Sequence, residues 1–144
     1  MICSYFDENF FNLVPAEHVE GLYSCLDYYQ NVSDPFSKQI TSKYNELYSG
    51  SAMFTAGSAC SGMYRGLKLW QAAVNEACSL DQAAVIAALD HAKIAEGPGG
   101  PAEMVPGQHH VRMNMYIAQS RNGNFEIVEN LGAIEPNECR QGLS

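Results

Sequence analysis

Apolar and polar positions follow two different periods along this chain, helical through the middle and two-residue near the C-terminal end. From Pro35 to Tyr48 the apolar residues Phe36, Ile40, Tyr44, Leu47 and Tyr48 fall on one face at helical spacing. Ser33-Asp34-Pro35 opens this helix with a capping side chain and a proline whose missing N–H costs nothing in a first turn. Gly50 is expected to stop it. A second helix is predicted over Gly57 to Ala77, with Met63, Leu67, Trp70 and Val74 as its core stripe. Gly57, Ala59, Gly62 and Gly66 sit at small positions that permit close approach of another backbone, at a cost in helix propensity. Ser79-Leu80-Asp81-Gln82 reads as a capping box, Ser79 being the cap. It opens a third helix through about His91, with Val85, Ile86 and Leu89 inward.

The period then shortens. Gly97-Pro98-Gly99-Gly100-Pro101 marks a turn. After it, Val111, Met113, Met115 and Ile117 alternate with His110, Arg112, Asn114 and Tyr116, which predicts a strand with its first set buried. Asn122-Gly123 supplies the positive φ angles of a type I′ hairpin turn and leads into a partner strand through Phe125, Ile127 and Val128. Near the N-terminus, Asp7 to Val14 reads as a short helix ended by Pro15, and Val19 to Leu26 as strand-like. Composition turns polar after Leu131. The organisation is one α/β unit over residues 1–131, helices plus a C-terminal β-hairpin, followed by a polar tail over 132–144.

Size and charge narrow the function. The 144 residues are 47% apolar, enough to supply one core. A formal net charge of −8 argues against nucleic acid or an anionic membrane surface as partner. No apolar run approaches the roughly 18 residues of a membrane span, so no membrane insertion is expected. Met1 to Asp7 has neither a basic n-region nor an apolar h-region. The five cysteines, Cys3, Cys25, Cys60, Cys78 and Cys139, show no metal-binding spacing and are expected as free, mostly buried thiols.

Candidate chemistry is sparse. His109 and His110 are adjacent in a strand-like segment, where neighbouring side chains point to opposite faces and cannot easily chelate one ion. Asp90-His91 lies at a helix end, and His91 most simply meets the last carbonyls. Ala56-Gly57-Ser58-Ala59-Cys60 only brushes the nucleophile-elbow pattern and has no strand before it. The Gly-rich turn lacks the Lys-Ser/Thr of a phosphate loop. No catalytic residue, metal site or cofactor is expected. Tyr23, Tyr28 and Tyr29 are open to two readings: facing a cleft, where their hydroxyls would orient a small polar ligand, or packing at a crossover.

Three segments carry a family likeness. Gly21-Leu22-Tyr23-Ser24 followed by Leu26 to Pro35, the helix Tyr64-Arg65-Gly66-Leu67-Lys68-Leu69-Trp70-Gln71-Ala72-Ala73-Val74, and the tail from Gly97 to Val128 occur in this order. Together they resemble the C-terminal part of type I periplasmic solute-binding proteins, the receptors for urea, short-chain amides or branched-chain amino acids, over about residues 7 to 130. The amide sensor of amidase operons is similar too. Where the family often has Glu-Ala-Ala, this chain reads Ser61-Gly62-Met63. The resemblance implies part of one lobe of a two-lobed clamshell, with the strands carrying the main ligand loops upstream of Met1. It implies a substrate-binding component of an ABC transporter that closes on its solute without catalysis. Ligand contacts would fall at Tyr23, Ser58, Ser61 and Tyr64. The partners would be a small polar ligand and, for the full-length protein, a transporter permease, outside the cytoplasm. Two alternatives stand beside it: a cytosolic amide sensor regulating an amidase operon, and a small hydrolase using His109, His110 and a cysteine.

Overall fold

One long strand, β5 (His110–Arg121), organises the sheet, and every other strand pairs with it directly or through one neighbour. The computed structural model describes residues 2–3, 5–49 and 54–137. Along one edge of β5 lie β4 (Ala102–Val105), opposite residues 110–113, and β2 (Tyr23–Leu26), opposite 116–119. The other edge is taken by β6 (Asn124–Ile134), from Met113↔Ile134 to Arg121↔Asn124. These pairs are antiparallel, as is that of β3 (Lys93–Ile94) with β4, while β1 (Ile2–Cys3) runs parallel to β2. The β5–β6 turn is the one the sequence announces: Asn122 has φ 53° and Gly123 φ 74°. The helices α1 (Ala16–Val19), α2 (Pro35–Leu47), α3 (Ser58–Ala77) and α4 (Gln82–Leu89) lie between β1 and β3 in the chain. The result is the expected mixed α/β architecture of helices and an antiparallel-rich sheet.

The helix starts follow local chemistry. Asp34 caps α2, its Oδ1 accepting from Ser37 N at 2.9 Å, with Pro35 at the first helical position. Asp7 caps the short helix expected there, which is a 3-10 segment, Glu8–Asn12. Asp81, not Ser79, caps α4: its Oδ1 accepts from Ala84 N, while Ser79 Oγ accepts from Asp81 N at 3.0 Å. The expected cap therefore lies two residues too early, and α4 runs only from Gln82 to Leu89. Gly50, the expected stop of α2, lies outside the described residues. The stretch Val19 to Leu26 divides into the end of α1, a turn through Gly21 at φ 77°, and β2.

Three face assignments are corrected. In α3 the buried positions are Ser58, Ser61, Arg65, Leu69 and Ala73, whereas Met63, Leu67 and Trp70 are 68%, 59% and 50% exposed. In β5 the buried side chains are Tyr116, Ala118 and Ser120, and Val111 to Met115 are only half-buried. Register shifts at Met115/Tyr116 and Ile117/Ala118 interrupt the simple alternation. In α4, Val85 and Ala88 are buried while Ile86 is exposed. The thiols of Cys60 and Cys78 are exposed and that of Cys25 half-buried, all three free. β6 continues to Ile134, and residues 138–144 lie outside the described part.

Two apolar clusters form. One joins Phe6, Val19, Leu26, Tyr29, Val32, Tyr116, Ala118 and Phe125, with Phe10 and Phe11 against it. The other joins Leu69, Ala73, Val85, Ala88 and Ala92 between α3, α4 and the strands that follow.

Candidate functional site

The polar centre of the molecule is the junction where the chain leaves β2, crosses through residues 27–34 and enters α2. Asp27 follows β2 directly and is buried, so its charge needs partners. α3 supplies them from successive turns of one face. Ser58 Oγ donates to Asp27 Oδ1 at 2.8 Å, and Arg65 Nη1 meets Asp27 Oδ2 at 2.8 Å. The Ser61 hydroxyl lies 2.7 Å from Asp27 Oδ2 and 2.8 Å from the Ser58 carbonyl, so its single proton serves one of them at a time. Arg65 Nη2 also donates to the Pro98 carbonyl at 3.1 Å, tying the Gly-rich turn to the same cluster.

That turn is clamped on every side. Gly99 N donates to Ser37 Oγ at 2.9 Å, and the Gly99 carbonyl accepts from Tyr116 OH at 2.8 Å and Asn114 Nδ2 at 3.0 Å. Gly99 has φ 81°, and a Cβ there would run into the Asp27 carbonyl, so glycine is required twice over.

The N-terminus of α3 is covered by a second carboxylate. Asp7 Oδ2 accepts from Ser58 N at 2.9 Å while its Oδ1 accepts from Asn9 N. A carboxylate at this end satisfies an otherwise orphaned N–H and lies at the positive pole of the helix dipole. Gly57 leaves the room Asp7 occupies. Beside it, Glu8 Oε1 accepts from Gln30 N, in the crossing segment, at 2.7 Å. Burial pushes the Glu8 carboxyl up from 4.5 to about 7, with nearby Asp7 adding to the effect. Its Oε2 has no hydrogen-bond partner among the described residues. Tyr28 OH bonds Thr41 Oγ1 at 2.8 Å, and burial raises its hydroxyl to about 12.

The four residues expected at the ligand divide into separate places. Ser58 and Ser61 meet at Asp27. Tyr64, on the same helix, is half-buried, with its ring 5.5 Å from Phe36 and Lys68 Nζ 5.9 Å above its centre. Tyr23 begins β2, at the other end of that strand from Asp27, pairs with Ile2 and Gln119, and is 36% exposed. Of the three tyrosines left open, Tyr28 and Tyr29 are packed at the crossing and Tyr23 alone reaches solvent. Asp27, Arg65, Asp7 and Glu8 were not singled out from the sequence. Arg65 carried a signal: it lies four residues after Ser61 and four before Leu69, a charge set within a row of small and apolar residues.

Other candidate groups are separate from this junction. His109 lies in the turn before β5 at φ 53°, and His110 opens the strand. Asp90 Oδ1 accepts from Gly107 N at 3.0 Å and so holds that turn, not His91. Among the described residues no three His, Cys, Asp or Glu side chains cluster as a metal site. No described helix is long and apolar enough to cross a membrane. A cleft of about 330 Å³ opens between the start of α2 and the Gly-rich turn, lined by Asp34, Phe36, Gln39, Glu96 and Pro101.

The comparisons with known proteins converge. A family profile described as periplasmic binding protein domain matches residues 3–141. The fold is similar to that of a leucine-, isoleucine-, valine-, threonine- and alanine-binding protein from Brucella ovis, with TM-score 0.71 and 14% identity, covering 94% of this chain and 38% of that one. It is similar to an ABC-type branched-chain amino acid transporter structure from Rhodopseudomonas palustris, with TM-score 0.72, 14% identity and coverages of 91% and 35%. It is also similar to an ABC transporter solute-binding protein from R. palustris in complex with benzoate, with TM-score 0.66, 18% identity and coverages of 82% and 32%. The chain thus spans about a third of the length of these structures. No curated protein sequence matches it.

Proposed function

Because the chain belongs to the periplasmic binding protein domain family, we propose that it forms part of the solute-binding component of an ABC transporter, outside the cytoplasm. The family and fold are those of non-catalytic solute-binding proteins. The observation that carries the reading is the match over residues 3–141, joined to structural likeness with transporter receptors. Its ligand is a small polar solute: urea, a short-chain amide or a branched-chain amino acid. The similar structures named for benzoate and for amino acids extend the range to small carboxylates.

In this reading the segment 27–34 is a hinge. Two lobes close on the solute, and a few residues between rigid elements absorb the change. Its ends are held, at Asp27 by α3 and at Asp34 by the cap of α2. Tyr23 and Tyr64 present partly open rings to the ligand. Ser58 and Ser61, buried on Asp27 and away from Tyr23, act by holding the start of that segment.

Calorimetry tests this with leucine, benzoate, acetamide and urea as titrants. The 144-residue chain alone is expected to bind each no tighter than millimolar, because the pocket is shared between lobes. Joined to the rest of its fold, it is expected to bind one of them at micromolar levels. No heat from any titrant in the joined protein would sink the reading, and micromolar binding by the chain alone would overturn the shared pocket.

A further inference from the structure

The crossing segment between β2 and α2 is tied down at its ends and along its length. Asp27 binds α3, Tyr28 OH bonds Thr41 Oγ1, Asn31 Nδ2 donates to the Phe125 carbonyl at 2.6 Å, and Asp34 caps α2. In the middle, Gln30 N donates to Glu8 Oε1 at 2.7 Å.

Glu8 differs from the other carboxylates of this junction in how little supports its charge. Asp27 has Arg65 and two serine hydroxyls, and Asp7 has the Asn9 and Ser58 N–H groups. Glu8 is only 7% exposed, and its Oε2 is buried with no hydrogen-bond partner among the described residues. A buried carboxylate oxygen without a donor is costly when charged. Arg65, the cation of the junction, is taken by Asp27 and the Pro98 carbonyl.

The groups around Glu8 offer no relief. Asp7 precedes it and repels its charge. The crossing segment brings Asp27 and the hydroxyls of Tyr28 and Tyr29, which burial raises and keeps neutral. α3 adds the Cys60 thiol on the Tyr28 side. β6 packs on the 3-10 segment, and its carboxylates Glu126 and Glu129 are exposed.

We propose that Glu8 is a proton-operated latch on the crossing segment: the neutral acid holds Gln30 in place, and loss of the proton to bulk water releases the middle of the segment. Ionised and closed, Glu8 lies beside Asp7 with one oxygen unbonded; ionised and open, it is hydrated. Burial raises its carboxyl from 4.5 to about 7 and outweighs the bond from Gln30 N, which favours the charge. The open form holds the proton less tightly, so opening gains as pH rises from 4.5 to about 7 and levels off above it. The segment is therefore stiff in acid and freer to bend above neutrality. The inference rests on the hinge reading only for its bearing on solute capture.

Amide hydrogen exchange by NMR tests the latch in the 144-residue chain. Protection of the Gln30 amide, relative to an unstructured amide, should fall about tenfold per pH unit between 4.5 and 7, up to about 300-fold in all. Glu8→Gln keeps an acceptor for Gln30 N and should flatten this profile; the four histidines contribute equally to both proteins. Gln30 should also be less protected than Ala118, in the middle of β5, because releasing the segment leaves the core folded. The Glu8 carboxyl carbon resonance of the wild type should titrate near pH 7. The proposal is overturned by the same pH response in both proteins, by a Glu8 midpoint near 4.5, or by equal protection of Gln30 and Ala118, which would mean that the segment moves only when the chain unfolds. A joined protein that binds none of the tested solutes would remove the ligand reading and leave the Gln30 result standing.

Discussion

The two apolar clusters differ in what they are made of and in how far each is finished. The cluster under β5 and β6 is aromatic. Phe125 is fully buried, with its ring centre 5.6 Å from Phe6, 4.9 Å from Phe11 and 5.1 Å from Tyr29. The pair with Phe6 is edge-on and the other two are tilted, and contacts of this kind add to the burial itself. The cluster between α3 and α4 is built from Leu69, Val85 and three alanines. Small side chains let the helices approach but bury little area per residue, and both helices keep apolar groups outside: Met63, Leu67 and Trp70 on α3 and Ile86 on α4. The lesson is one of completeness. The aromatic side closes on itself using residues from Phe6 to Phe125, while the helical side leaves Met63, Leu67 and Trp70 exposed.

Phe125→Ala is the strongest way to break the aromatic side. Removing a ring with three close aromatic neighbours should cost about 3–5 kcal/mol, a large share of the roughly 5–15 kcal/mol that domains possess. Chemical denaturation followed by circular dichroism measures it. A loss under about 1 kcal/mol would mean the cluster is loosely packed.

The next effect is electrostatic and lies at the edge of the same cluster. Glu8 has its carboxyl raised from 4.5 to about 7, chiefly by burial. The folded state therefore holds this proton more tightly than the unfolded chain. Stability from this group is full below about pH 4.5 and falls as pH rises through 7, by up to about 3 kcal/mol. Glu8→Gln keeps an oxygen to accept from Gln30 N and removes the charge. The variant should match the wild type near pH 4 and exceed it at pH 8, as read from denaturation midpoints across that range. Parallel pH profiles for the two proteins would show that Glu8 is not the titrating group.

Much of this architecture is visible in the sequence, and the missing parts have physical causes. Asp34-Pro35 and Asn122-Gly123 act on their own neighbours, so α2 and the hairpin turn can be read locally. The inward face of α3 cannot. Ser61, Arg65, Leu69 and Ala73 recur at helical spacing as do Met63, Leu67, Trp70 and Val74, and hydrophobicity alone selects the second row. The fold buries the first because Asp27, 31 residues before Ser58, supplies the countercharge for Arg65. That pairing between distant segments has no local signature. The same holds for Ser58 and Ser61, which the family resemblance marks out as ligand contacts while their shared carboxylate goes unnoticed. In α4 the misplaced cap has a different cause: Ser79 and Asp81 both have capping side chains, and Ser79 bonds Asp81 N, leaving Asp81 to begin the helix.

Gly123→Val probes the hairpin that folds β6 over the aromatic side. Gly123 has φ 74°, a region costly for a β-branched residue, and no other atoms crowd it. The expected loss is about 1–2 kcal/mol from backbone strain alone. Gly123→Asn, which tolerates this region, should recover most of it. An unchanged melting temperature for the valine variant would show that the turn relaxes freely.

The smallest expected effect sharpens the comparison most, because it comes from the largest side chain in the chain. Buried in a core, a tryptophan truncated to alanine costs about 3–5 kcal/mol, and the periodicity of α3 alone would suggest that value for Trp70. Trp70 is 50% exposed, however, and the buried positions around it are Leu69 and Ala73. In the isolated chain Trp70→Ala should therefore cost no more than about 1 kcal/mol, part of it recovered through the better helix propensity of alanine. The exposed half of the ring contributes nothing to a fold that does not touch it. A loss near the full core value would place Trp70 inside this chain's own core and reverse the assignment of the two faces.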